Sequence, residues 1–150
     1  MTGTTSRDTV SAVTELILEV FRLNGALLAS GDRLVSGLSL TSARWQVLGA
    51  IDASPVALPI SHVARNMGLT RQAVQRLANE MAKDGLVAFE ENPHHSRAKL
   101  IVMTTHGRQV YAAAMKLQRK WAAQLARGVE TAEIARATAT LGRFRSRLER

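Results

Sequence analysis

The segment from Pro59 to Leu77, PISHVARNMGLTRQAVQRL, confines this chain to few folds, because its apolar residues recur at helical spacing on either side of one glycine. Ile60, Val63, Ala64 and Met67 share one side of the first half, and Val74 and Leu77 share one side of the second. Gly68 can take the positive φ that a sharp helix-to-helix corner needs, and Leu69 can plug that corner. Thr70 offers a hydroxyl to cap the second helix. The open face of that helix then carries Thr70, Arg71, Gln72, Gln75, Arg76 and Asn79, side chains suited to phosphates and base edges. The pattern is a helix-turn-helix, and double-stranded DNA is the expected partner.

The rest of the chain supplies a setting for this motif. A stripe of Val10, Val13, Ile17, Val20, Phe21, Leu27 and Leu28 predicts a first helix over about Thr9 to Ala29, broken by Gly31 and the GLSLT stretch. Thr41 caps a second helix, in which Trp45, Leu48 and Ile51 face inward, and Pro55 and Pro59 bracket a connector. The helix-turn-helix stops at Gly85. Two short strands follow, Leu86 to Phe89 and Leu100 to Met103, around a polar link that contains His94, His95 and Arg97. A hairpin directly after a recognition helix is a wing. The link is either a solvated turn or a reader that places Arg97 in a minor groove.

Thr104 caps a long helix to about Arg127, with Tyr111, Met115, Gln118, Trp121 and Leu125 as a seam. Gly128 ends it, and a last helix restarts at Thr131 with Ile134, Leu141 and Leu148 at heptad spacing, and with Ala137 and Phe144 between them. These terminal stripes lack a large domain to bury them, so a symmetric homodimer is expected.

Composition bounds the chemistry. Of 150 residues, 46% are apolar, which supports a packed core. No apolar run is long enough to span a membrane, and the N-terminus MTGTTSRDTV lacks a signal pattern, so a cytoplasmic protein with no membrane partner is expected. The absence of cysteine excludes disulfides, thiol sensing and thiolate catalysis. The net charge of +8 suits an anionic partner. Its distribution is uneven: 10 Lys/Arg face 9 Asp/Glu up to Thr104, against 10 and 3 from Thr105 onward. The excess belongs to the C-terminal helices and not to the reading head.

Three ordered strings, LTSARWQVLGAI (Leu40 to Ile51), ISHVARNMGLTRQAVQRLANEMAKDGLV (Ile60 to Val87) and ENPHHSRAKLIVMTTHGR (Glu90 to Arg108), resemble the MarR family of bacterial winged-helix regulators. The resemblance covers about half the chain. It implies a mainly α, α+β winged-helix fold. An N-terminal dimerisation helix would occupy residues 1–38, a DNA-binding domain 39–104 and C-terminal dimerisation helices 105–150. It further implies a homodimer on a pseudo-palindromic operator, with the recognition helix in the major groove and Arg97 in the adjacent minor groove. Family members are typically repressors released by a small anionic or aromatic effector, bound in a cleft between the dimerisation helices and the winged domain. One departure stands out. The family often places an acidic residue two positions before the wing arginine, where this chain has His95, so Arg97 must be braced differently or phosphate met through His94 or His95.

Other chemistry is weaker. His62, His94, His95 and His106 show no ligand spacing for a metal, and adjacent hairpin residues such as His94 and His95 are expected on opposite faces. The alternatives are a winged-helix protein-interaction module without specific DNA readout and a metal-responsive regulator using histidines. No phosphate loop or nucleophile elbow is present, so neither a cofactor nor catalysis is expected. A winged helix used only for protein contacts would need apolar residues where Arg, Gln, Thr and Asn stand. Trp45, Trp121 and Tyr111 sit at apolar helical positions, which fits packing better than a ligand cleft.

Overall fold

The computed structural model describes residues 6–150; the first five residues of the N-terminal stretch expected to lack a signal pattern lie outside them. The order is α1 (Arg7–Val35), a 3-10 turn (Ser36–Leu38), α2 (Ser42–Asp52), β1 (Leu58–Pro59), α3 (Ile60–Met67), α4 (Arg71–Lys83), β2 (Val87–Glu90), β3 (Leu100–Met103), α5 (Thr105–Leu125) and α6 (Thr131–Leu148). Two compact units divide the chain, one up to Met115 and one from Lys116 to Arg150. Among the described residues no helix is long and apolar enough to cross a membrane.

In the first unit three helix starts carry hydroxyl caps, of which Thr41 and Thr70 were expected from the sequence. Ser6 accepts the Thr9 N–H, Thr41 the Arg44 N–H and Thr70 the Ala73 N–H, each at 3.2 Å. The first helix runs two turns further than its stripe suggested. Gly31 is not a break but a contact point, because a Cβ there would overlap the Ser42 hydroxyl. That hydroxyl donates to the Leu28 carbonyl at 2.8 Å, and the Ser42 N–H donates to the Asp32 carboxylate at 2.6 Å. A carboxylate at the start of α2 also complements the helix dipole. The chain finally turns at Ser39, whose φ of 56° is left-handed.

The core lies under the winged part. Val35, Val47, Leu48, Val63, Val74, Met81 and Ile101 are fully buried. Each contributes roughly 1.5–3 kcal/mol of transfer free energy. Helix α4 reaches this core through Val74, Ala78 and Met81, one face at i, i+4 and i+7 spacing. In α2, Leu48 is buried as expected and Trp45 and Ile51 pack against the core in part; Val47 joins Leu48 in the interior.

The wing sheet has three strands where two were expected. Within the proline-bracketed connector, β1 pairs antiparallel with β3, giving the order β1-β3-β2. Leu58 and Phe89 both lie opposite Ile101, so an apolar row crosses the sheet toward the core.

The start of α5 is tied to the corner after α4. The Thr104 hydroxyl donates to the Gly85 carbonyl at 2.6 Å and accepts the Gly107 N–H at 2.9 Å. Any Cβ at Gly107 would overlap the Leu86 carbonyl. On α5, Tyr111 packs in part against the core, and burial first, then the charge of Asp52, pushes its hydroxyl above the ordinary phenol range.

In the second unit α5 ends at Leu125, Gly128 turns with φ of 76°, and α6 restarts after Glu130. No residue of α6 is buried, and Ile134, Leu141 and Leu148 lie exposed along it.

Candidate nucleic-acid interface

The corner between α3 and α4 is built by the backbone. Gly68 takes φ of 65°, its N–H donates to the Arg65 carbonyl, and the Leu69 N–H donates to the Ala64 carbonyl. This is a Schellman closure of α3. It corrects one expectation: Leu69 does not plug the corner but stands 47% exposed. With the turn closed by hydrogen bonds, Met67 supplies the apolar contact to the core instead. A second closure ends α4, with Gly85 at φ of 73° and the Leu86 N–H on the Met81 carbonyl. The recognition helix is therefore fixed at both ends by positive-φ glycines.

Its outer face is as the spacing predicted. Thr70, Arg71, Gln72, Arg76 and Asn79 are exposed and Gln75 is half-buried. The Gln75 amide donates to the Asn79 side-chain oxygen at 2.9 Å, an i, i+4 link that orients both amides as a unit. Arg44 of α2 binds Asp84 at 2.7 Å and Glu80 at 3.9 Å, so the acidic residues near the C-terminal end of α4 are engaged away from the reading face. Arg71, Arg76 and Arg97, by contrast, have no ion-pair partner among the described residues. Cations held without a partner at a rigid surface are available to an anion.

The wing tip answers the question raised by His95. Asn92 shapes the turn: its amide donates to the Ala98 carbonyl at 2.9 Å, and its side-chain oxygen accepts the His94 N–H at 3.0 Å. Backbone bonds from the His95 N–H to the Asn92 carbonyl and from the Ala98 N–H to the His95 carbonyl complete it. The tip is thus held by an Asx turn. Among the described residues no carboxylate braces Arg97, which is exposed. His94 and His95 both lie along one cleft. Among the described residues no group of three or more His, Cys, Asp or Glu could hold a metal ion.

That cleft, of about 860 Å³, lies between the start of α3, the face of α4 and the wing. It brings together Arg71, Gln75, Asn79, His94, His95 and Arg97 from the predicted set. Gln72 and Arg76 lie beside it, on a shallower surface of α4 shared with Arg71, Gln75 and Asn79. Sequence reasoning missed Ser61, His62 and Lys99 as lining residues. His62 is two residues past Ile60 on a short helix, and only the packing of α3 beside the wing reveals it. Despite the near-neutral balance of this part of the chain, no Asp or Glu lines the cleft. The local charge is positive.

Fold and cleft together define a winged helix-turn-helix protein. The MarR family model matches residues 36–98, which span the second helix, the helix-turn-helix and most of the wing. An uncharacterised protein of Mycobacterium tuberculosis is 40% identical over 101 residues, covering 67% of this chain and 69% of that one. The transcriptional activatory protein BadR of Rhodopseudomonas palustris is 32% identical over 98 residues, covering 64% and 56%. The transcriptional regulator MosR of M. tuberculosis, solved in complex with DNA, superposes with a TM-score of 0.73 at 26% identity, covering 88% of this chain and 96% of that one. The chain belongs to the MarR family of transcription regulators.

Proposed function

We propose that this protein regulates transcription by binding a pseudo-palindromic DNA operator as a homodimer. The observation that carries this reading is the rigid, solvent-facing set of Arg71, Gln72, Gln75, Arg76 and Asn79 beside a wing whose cations have no carboxylate partner. Arginine and the amides are the side chains that pair bidentately with guanine and adenine edges in a major groove. Thr70, bound to the Ala73 N–H through its oxygen, keeps its hydroxyl proton for a phosphate. His94, His95 and Arg97 would reach the backbone or minor groove from the wing. A relative solved with DNA supports the docking.

Two finer parts of the reading rest on the family resemblance. DNA occupancy represses transcription, and a small anionic or aromatic ligand relieves it. The activatory description of BadR makes the sign of regulation the part to measure. A reporter fused to the bound promoter, with and without the regulator, reads it: loss of the protein raises expression if it represses and lowers it if it activates. For DNA binding itself, gel-shift titration of the single alanine variants at Arg71, Gln72, Gln75 and Arg76 is the test. Retention of full sequence preference by all four would overturn the docking.

A further inference from the structure

We infer that His62, His94 and His95 are contacts to the DNA backbone, so that DNA binding by this protein takes up protons. The inference rests on the reading that the cleft between α3, α4 and the wing holds DNA. Six residues with ionisable side chains line that cleft: His62 from α3, Arg71 from α4, and His94, His95, Arg97 and Lys99 from the wing. The remaining polar groups of α4 that face it, Gln75 and Asn79, are neutral. Glu90 and Glu91, the carboxylates nearest to the wing tip in the chain, are exposed and do not line it, and neither does Arg65 further along α3.

Three of the six carry fixed positive charge, and three are imidazoles, the side chains whose ordinary titration falls between about pH 5 and 8. A DNA strand brings one negative charge per about 3.4 Å, closely spaced enough to meet several of them at once. Phosphates entering the cleft favour the charged imidazolium. The bound state therefore holds more protons than the free state, and affinity must rise as pH falls through the imidazole range.

The experiment uses the full-length protein and a fluorescein-labelled mixed-sequence duplex of about 30 base pairs, room for two half-sites about one turn apart. A mixed sequence suffices because backbone contacts do not depend on base identity. Anisotropy titrations at about pH 8 and about pH 6, across a salt series, compare the wild type with the H62Q/H94Q/H95Q variant. All three substitutions are at exposed positions, and circular dichroism verifies that the variant is folded. The wild type should tighten by about tenfold or more on acidification, and its salt slope should steepen by about two to three. The variant should keep one slope and one affinity. Calorimetry in two buffers of different ionisation enthalpy should show about one or more protons taken up by the wild type and close to none by the variant. Equal pH responses in the two proteins would overturn this inference and leave the DNA reading standing. Failure of the wild type to bind the duplex at either pH would overturn both.

Discussion

Arg71, Arg76 and Arg97 share a chemistry but not a setting, and their substitutions should separate. Arg71 and Arg76 project from the exposed face of a capped helix, so Arg71→Ala or Arg76→Ala should relax base preference at one position of each half-site, by about 1–3 kcal/mol of discrimination. Arg97 stands on a turn shaped by Asn92 and without a carboxylate partner, so Arg97→Ala should weaken binding to all sequences alike and lower the salt slope by about one. Binding isotherms on matched and mismatched duplexes distinguish the two patterns. The reading face was legible in the chain because i, i+4 spacing sorts polar from apolar residues on an isolated helix. Its neighbours were not. Lys99 and His62 are 37 positions apart and meet in the cleft only through the sheet pairing and the seat of α3 beside the wing. The release of Leu69 to solvent was equally hidden, since here the backbone hydrogen bonds close the turn without its side chain.

The corners decide the elements, and one of them can be broken by one methyl. Gly107→Ala would drive a Cβ into the Leu86 carbonyl at the joint where α5 leaves the wing sheet. A loss on the order of 3 kcal/mol is expected, read as a fall in the denaturation midpoint. Thr104→Val should cost about 1–3 kcal/mol at the same joint, because it removes the hydroxyl that serves both the Gly85 carbonyl and the Gly107 N–H. Gly31→Ala should be milder, since the Ser42 hydroxyl that a methyl would meet belongs to a side chain that can rotate away at the expense of one hydrogen bond. Chemical denaturation that ranked Gly31→Ala above Gly107→Ala would contradict these geometries. Caps, stops and the two-stranded hairpin were readable from local residue types. The strand Leu58–Pro59 was not, because two residues hold no periodicity and become a strand only by pairing with Ile101 and Leu100. Gly31 misled for a related reason: a glycine inside a helix looks like a break until the helix packed on it is known.

At the scale of the molecule, the two units expose apolar surface that a single chain leaves uncovered. In the first unit Val10, Ile17 and Phe21 stand out along α1, with Phe21 70% exposed. In the second, Ile134, Leu141 and Leu148 do so along α6. Such stripes are what a second copy would cover. Light scattering at micromolar concentration should therefore give twice the 16.3 kDa chain mass, and Phe21→Glu should shift it toward the monomer. A monomer mass for the wild type would remove the dimer from the account. The amphipathic stripes were plain in the residue pattern, but a stripe does not name what covers it, which is why the partner is a matter for solution measurement. The central claim is that two copies of one reading face recognise a defined DNA sequence. Repeated selection of bound duplexes from a random pool by the full-length protein tests it most directly. The account predicts enrichment of a two-fold-symmetric site with half-sites about one helical turn apart, or a multiple of it. A pool that stays random after selection would contradict it.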